Sequence, residues 1–75
     1  MTADETLDLT GLKCPLPALM ACRALKKSAP GTILAVVADD PLAHLDLPHM
    51  ARQEGFDILL TERNGDRVRL VLRRG

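Results

Sequence analysis

The chain has 75 residues, which suffices for one small domain, and we expect that domain to span residues 1–75. Ten basic side chains balance ten acidic ones, so the formal net charge is zero. A chain without a net field has no general electrostatic attraction for nucleic acid or for an anionic membrane, and neither partner is expected. Apolar residues make up 47% of the chain, but Phe56 is its one aromatic residue. The core must therefore be aliphatic.

The beginning of the chain carries no targeting pattern. Residues 1–8 include acidic side chains but no basic stretch before an apolar run, which argues against a signal peptide. The longest uninterrupted apolar run, Ile33 to Ala38, is far too short to span a bilayer. These features predict a soluble, cytoplasmic protein.

The first half of the chain predicts a strand, a helix and a second strand. Leu7 and Leu9, with Leu12 as a possible third position, alternate with polar residues and glycine. Residues 15–29 are rich in good helix formers and end at Pro30-Gly31. The continuously apolar and β-branched run from Thr32 to Ala38 is typical of a central strand.

A second helix is predicted from Leu42 to Glu54. Asp39, Asp40 and Pro41 before it supply cap residues and a proline suited to a helix start. Pro48 predicts that this helix breaks and restarts, with Asp46 as a second N-cap. Gly55 would end it.

The chain closes with a predicted β-hairpin. Segments Phe56–Arg63 and Arg67–Arg74 flank Asn64-Gly65, a dipeptide that favours a type I′ turn. The element order is then βαβαββ. We expect an α+β fold, a two-layer α/β sandwich in which two helices cover one face of a four-stranded mixed sheet.

The stretch Lys13-Cys14-Pro15-Leu16-Pro17 places a cysteine at a helix start. A residue before proline is pushed out of the α region, so Cys14 is predicted to be the N-cap. The helix dipole, the N–H of Leu16 and the charge of Lys13 would then lower the pKa of the Cys14 thiol. Pro15 and Pro17 would make that turn rigid. A reactive thiol is favoured over a buried, structural one.

The second cysteine, Cys22, falls on the apolar side of the predicted helix. On a helical wheel it shares a face with alanine and leucine, opposite Arg23 and two lysines, which favours a structural role. If both cysteines lie on one helix, Cys14 and Cys22 are separated by a rise of about 12 Å. That exceeds the reach of a disulfide, so no intrachain bridge is expected.

Leu16, Leu19 and Met20 fall toward the charged side of the same wheel. If they are exposed, they form an apolar docking patch beside Cys14, with Lys13 and Arg23 as charged neighbours. If the first strand or a loop covers them, they belong to the core. Both readings stay open from the residues alone.

Several features together resemble the TusA-type (SirA-like) sulfur-carrier proteins. They are the C-P-x-P motif from Cys14 to Pro17, the helix that ends before Pro-Gly, the strand that ends in Asp39-Asp40, and the later Asp46-Leu47-Pro48 and Gly55. The resemblance extends from Leu7 to Arg73 and implies the same two-layer βαβαββ fold.

The resemblance also implies a function. In this family the motif cysteine, here Cys14, accepts sulfane sulfur as a persulfide and passes it along a protein relay. The implied partners are a sulfur-donor protein, either a cysteine desulfurase or a rhodanese-like protein, and an acceptor protein. Such relays serve tRNA thiolation, molybdenum-cofactor assembly, sulfur oxidation or selenium metabolism. Many relatives carry an aromatic residue near the position of Met50, and this chain does not.

Other classes of function are less favoured. Arginines on the predicted hairpin suggest a small nucleic-acid- or protein-binding module, but the zero net charge and the single aromatic residue argue against binding of nucleic acid. A thiol–disulfide oxidoreductase would need a C-x-x-C pair. His44 and His49 have no zinc-site spacing, and no glycine loop for phosphate is present, so no metal or cofactor is expected. An edge strand bearing arginines favours a monomer.

Overall fold

Four strands and two helices follow one another in the predicted order. The structure is a computed structural model and describes residues 3–75. Its elements are β1 (Glu5–Asp8), α1 (Leu16–Lys27), β2 (Ile33–Ala38), α2 (Ala43–Glu54), β3 (Asp57–Asn64) and β4 (Arg67–Arg73). The first strand begins earlier than the leucine alternation indicated and ends before Leu9. Leu9 is nevertheless buried, and its N–H donates to the carbonyl of Val37 at 2.8 Å.

The sheet has the strand order β1-β2-β4-β3. β1 pairs with β2 in parallel, whereas β2 and β3 both pair with β4 in antiparallel fashion, so the sheet is mixed. The two central strands, β2 and β4, direct alternate residues toward the helices. Three buried cross-strand pairs follow from that register: Leu34 with Leu72, Val36 with Leu70, and Ala38 with Val68.

Both helices bury aliphatic residues against this face of the sheet. Ala21 and Leu25 of α1 and Leu47 and Ala51 of α2 are fully buried, and Phe56 closes the core after α2. The two-layer α+β sandwich is therefore confirmed. Each helix has 12 residues, and neither helix in the described part of the chain is long and apolar enough to cross a membrane.

The prediction that Pro48 breaks the second helix is wrong. α2 runs without interruption from Ala43 to Glu54 with Pro48 inside it. Proline removes one N–H donor from the helix, but Leu47 on one side and Met50 on the other are both buried in the core. Packing of both halves keeps the helix continuous, because tertiary contacts supply most helical stability. Asp46 is consequently a residue of the first turns of α2 and not a second N-cap.

The hairpin is present, but its turn differs from the predicted one. Asn64 pairs with Arg67, so the two loop residues are Gly65 and Asp66. Only the glycine has a positive φ, of 64°, whereas a type I′ turn requires positive φ at both central residues. Glycine at the first central position is the pattern of a type II′ turn.

Replacement of Leu70 by alanine is expected to lower the free energy of unfolding by about 2 to 5 kcal/mol, because Leu70 is fully buried at the centre of the sheet. Urea denaturation followed by circular dichroism measures the change. The matched control is Leu45→Ala, since the Leu45 side chain is 58% exposed on α2. Its effect should stay within about 0.5 kcal/mol. Equal losses in the two variants would contradict this assignment of the core.

Candidate functional site

The loop before α1 positions Cys14 differently from the predicted helix cap. The N-cap is Pro15, whose carbonyl accepts the N–H of Leu19 at 3.1 Å, and the first helical residue is Leu16. The N–H of Leu16 donates to the carbonyl of Lys13 at 2.8 Å. Cys14 is therefore not the N-cap, and its sulfur does not receive the N–H that was expected to stabilise a thiolate. The Cys14–Pro15 peptide bond is cis.

The backbone of Cys14 is held by the carboxylate of Asp40, which follows β2. One oxygen, Oδ2, accepts the N–H of Cys14 at 3.2 Å, and the other, Oδ1, accepts the N–H of Leu42 at 2.8 Å. Asp40 is buried. The hydrogen bond from Leu42 lowers the pKa of the Asp40 carboxyl most, followed by that from Cys14, and the charge of Lys13 acts in the same direction. One ionised carboxylate thus joins the starts of the two helices.

The Cys14 thiol is held by a second carboxylate. Its Sγ donates a hydrogen bond to Oδ2 of Asp46, which lies 32 residues further along the chain on α2. This hydrogen bond raises the pKa of the Cys14 thiol to about 11, from an ordinary value of 9.0, and burial and the charges of Asp46 and Asp40 add to the effect. The prediction of a lowered pKa is wrong, because an acceptor carboxylate stands where a donor N–H was expected.

Cys14 lines a groove between the two helices. The groove has a volume of about 330 Å³ and is mostly apolar. Cys14 and Ala18 line it near the start of α1, Cys22 lines it further along, and Asp46 and Met50 line it from α2. The thiol is half-buried, so it meets both the groove and solvent.

Cys22 is half-buried, packs against the hydrophobic core and also lines this groove. Both cysteines are free thiols, in agreement with the expectation that they do not bridge. A structural role for Cys22 stays a prediction.

Three exposed apolar residues lie in the first turns of α1, and one of them, Leu19, lines the groove with Cys14. Leu16, Leu19 and Met20 are all exposed and so do not belong to the core, whereas their role in docking stays a prediction. Lys13 and Arg23, the predicted charged neighbours, are exposed as well. We refer to the three apolar residues as the α1 patch.

Comparison with known proteins identifies the family. The model of the family described as sulfurtransferase TusA matches residues 5–74. The chain belongs to the sulfurtransferase TusA family. Its fold is similar to the crystal structure of a SirA-like protein from Desulfitobacterium hafniense, with 25% sequence identity and a TM-score of 0.77. The similarity covers 95% of this chain and 97% of that one. The predicted TusA-type membership and fold are confirmed.

Two residues that contact Cys14 were interpreted as helix caps and as part of the family resemblance, but not as residues of the candidate site. Asp40 does bond a helix-start N–H, but it also holds the backbone of Cys14, and Asp46 binds the thiol itself. The resemblance included Asp46-Leu47-Pro48, but no local pattern linked Asp46 to Cys14, because the two residues are 32 positions apart in the chain. Leu42 and Leu45, both exposed, were also missed as surface residues. A helical wheel would have indicated their exposure, because both lie to one side of the buried positions Ala43 and Leu47.

Most of the hairpin arginines, which suggested a binding module, bond to other groups of the chain. Arg69 pairs with Glu62 at 3.1 Å, and Arg73 pairs with Asp57 at 2.7 Å. Arg74 donates to the carbonyl of Ser28. Arg69 and Arg73 of β4 are thus paired with acidic residues of β3, as is common on a solvated sheet face.

Within residues 3–75, no group of three or more histidine, cysteine, aspartate or glutamate side chains is arranged to hold a metal ion. His49 lies at the groove and is exposed, whereas Nδ1 of His44 is 2.8 Å from the carbonyl oxygen of Pro41.

The alkylation rate of Cys14 should keep rising with pH through pH 10, because its thiol pKa is raised to about 11. An ordinary thiol, with a pKa of 9.0, approaches its plateau in that range. At pH 7 alkylation should be about tenfold slower than for an ordinary cysteine, since the smaller thiolate fraction outweighs its higher nucleophilicity. Iodoacetamide labelling of the Cys22→Ser variant, followed by intact mass, measures the profile. A plateau below pH 9 would contradict the raised pKa.

Proposed function

We propose that this member of the sulfurtransferase TusA family is a sulfur carrier that holds sulfane sulfur as a persulfide on Cys14. The observation that carries the proposal is the position of Cys14: it is the cysteine of the C-P-x-P motif and lies half-buried at an apolar groove beside an exposed apolar patch. The proposed donor is a cysteine desulfurase or a rhodanese-like protein. The proposed acceptor is the next protein of the relay, and the carrier acts as a monomer.

Loading is an attack of the Cys14 sulfur on the outer sulfur of a donor persulfide. The thiol first loses its proton to solvent, and its electron pair forms a new S–S bond at Sγ. The S–S bond of the donor breaks, and the donor sulfur leaves with that electron pair and takes up a proton. The Cys14 sulfur is oxidised and the donor persulfide is reduced, so no further oxidant is needed.

Delivery repeats the same chemistry in the opposite direction. A thiolate of the acceptor attacks the outer sulfur on Cys14, the S–S bond breaks, and its electron pair returns to Sγ of Cys14. The carrier regains a proton and is ready for another cycle. Neither step requires a cofactor.

The two prolines support this use of Cys14 through the backbone. Pro15 is the N-cap residue whose carbonyl accepts the N–H of Leu19, and Pro17 is buried within the first turn of α1. A proline restricts φ, so both residues limit the conformations open to the loop that carries the thiol. The sulfur is thereby held at a defined position for a partner.

The α1 patch is the proposed docking surface for the donor and the acceptor. Leu16, Leu19 and Met20 expose apolar area beside the thiol, and Lys13 and Arg23 add positive charge at its margin. An exposed apolar patch rimmed by polar residues is typical of a protein interaction site.

Incubation of the reduced chain with a cysteine desulfurase and free cysteine should add one sulfur atom to the Cys14 peptide. The Cys14→Ser variant should gain none, and Cys22→Ser should load as the parent chain does. Peptide mass spectrometry without reductant measures the product. Failure of the parent chain to load from several desulfurases and rhodaneses, under conditions in which another TusA-family carrier loads, would overturn the proposal.

The Leu19→Glu variant should load at least about tenfold more slowly from the same desulfurase, since a charge at the centre of an apolar interface leaves a buried group without a partner. Its circular-dichroism spectrum should match that of the parent chain, because Leu19 is 58% exposed and its replacement does not unfold the chain. Leu19 also lines the groove with Cys14, so the new carboxylate slows the reaction of iodoacetamide with Cys14 as well, and the loss of loading rate should exceed that loss by at least about fivefold.

The matched control for this variant is Thr61→Glu, which adds the same charge at an exposed position of β3 outside the groove lining. Equal loading by the two glutamate variants would show that the α1 patch is not where the donor docks.

A further inference from the structure

We propose that Asp46 is a specificity-determining residue of the carrier: it keeps the resting Cys14 sulfur as S–H and favours reaction partners that bring positive charge beside their reacting sulfur. The inference rests on the proposed function, because it concerns the partners of the same thiol. It goes beyond that function by assigning a role to a residue outside the C-P-x-P motif. It also states the chemistry of the surface that must face Cys14.

A hydrogen bond joins the residue before α1 to a residue in the first turns of α2. The S–H of Cys14 donates to the carboxylate of Asp46, and the N–H of the same residue donates to the carboxylate of Asp40. Cys14 therefore meets a carboxylate at its backbone and another at its sulfur. Lys13 is exposed, and its charge acts on Asp40. His49 and Glu54 line the groove further along α2.

This arrangement penalises the reactive form of the sulfur. When Cys14 loses its proton, the hydrogen bond to Asp46 is lost, and a negative sulfur is left next to a negative carboxylate. A positive group placed close to Asp46 offsets that repulsion and stabilises the thiolate. The formal net charge of the chain is zero. The preference for positively charged partners is therefore set by the carboxylates near Cys14 and not by the field of the whole protein.

The exposed residues near the two helix starts indicate what kind of surface the partner must have. Leu16 and Leu19 are exposed on α1, Leu42 is exposed just before α2, and Leu45 is exposed in the first turn of α2. The partner that fits is a protein with an apolar contact surface and with a lysine, an arginine or a helix N-terminus next to its reactive sulfur. The positive charge of such a partner would complement the carboxylates, and its apolar surface would cover the exposed leucines.

The same contact distinguishes the empty carrier from the loaded one. Once Sγ of Cys14 bears a second sulfur atom, it has no proton to donate to Asp46, and their hydrogen bond cannot form. A negative outer sulfur is then repelled by Asp46, which turns it away from α2 and toward the partner. Asp46 thereby holds the sulfur before loading and releases it afterwards.

The test uses three small symmetric disulfides of different charge, in a Cys22→Ser background in which Cys14 is the one thiol. They are cystamine, which is cationic, bis(2-hydroxyethyl) disulfide, which is neutral, and 3,3′-dithiodipropionate, which is anionic. In each reaction the Cys14 thiolate, after losing its proton to solvent, attacks one sulfur and forms a mixed disulfide, and the other half leaves as a thiolate. Intact mass at pH 7 gives each rate constant.

The Asp46→Asn variant should react about tenfold faster with the neutral disulfide, because more of the thiol is ionised at pH 7. Its ratio of cystamine to dithiodipropionate rate constants should fall by about fivefold or more relative to the parent, since one nearby charge is removed. The three disulfides differ in their own reactivity, so the comparison is made between variants. A residue that only supported the fold would change all three rates together.

Two variants serve as controls. Asp46→Glu keeps the charge and should keep the parent ratio. Asp66→Asn removes the same charge at the exposed hairpin turn and should leave all three rates within about twofold of the parent, because distant surface charges are screened. An unchanged ratio in Asp46→Asn would overturn the inference.

The parent chain also tests the inference without any change at Asp46. Raising the salt concentration from about 20 to about 500 mM should lower the ratio of the cystamine rate constant to the dithiodipropionate rate constant, because salt screens the carboxylates. The ratio is compared because the same screening favours the thiolate in all three reactions. If Asp46→Asn does not fold, the parent chain alone decides: a ratio of rate constants that does not change with salt would overturn the inference. Persulfide loading is measured separately: a chain that loads but lacks charge preference refutes the role of Asp46 alone, and a chain that shows the preference but never loads refutes the carrier function.

Discussion

The carboxylate of Asp40 connects the core of the molecule to its reactive end. Asp40 is the second residue after β2 and is itself buried, with one oxygen bonded to the start of α2 and the other to the backbone of Cys14. Its neighbour Asp39 accepts the N–H of Gly11 at 2.8 Å, so the loop before α1 is held at two points. The position of the thiol therefore depends on the strand that forms the centre of the sheet. Both helix starts are fixed to the same end of that strand.

The fold was largely predictable because its main signals are local and periodic. The apolar run at β2 and the alternation at Val68, Leu70 and Leu72 both appear as buried strand positions. Pro48 misled the prediction, since the burial of Leu47 and Met50 outweighs the loss of one helical hydrogen bond. The turn at Gly65-Asp66 differed by one residue because pairing of the strands, and not the Asn-Gly dipeptide, determined the register.

The location of the candidate site was predictable, but its electrostatics were not. The C-P-x-P motif drew attention to Cys14, which the structure places at the groove between the helices, and the helical wheel indicated the exposed side of α1. The state of the thiol depends on Asp46, which reaches it from another helix, and no spacing rule links the two residues in sequence. Local reasoning considered the helix dipole and the N–H of Leu16, yet that N–H bonds the carbonyl of Lys13. A tertiary contact reversed the direction of the pKa shift.

The contact between Cys14 and Asp46 also bears on damage by oxidants. Peroxide reacts with thiolates to form sulfenic acid, and further oxidation to sulfinic and sulfonic acids is largely irreversible. A carrier spends time waiting for its donor, and during that time an accessible thiolate would be exposed to this loss. With its thiol pKa raised to about 11, Cys14 waits almost entirely as S–H at neutral pH. The carboxylate that keeps this thiol protonated therefore also protects it from peroxide.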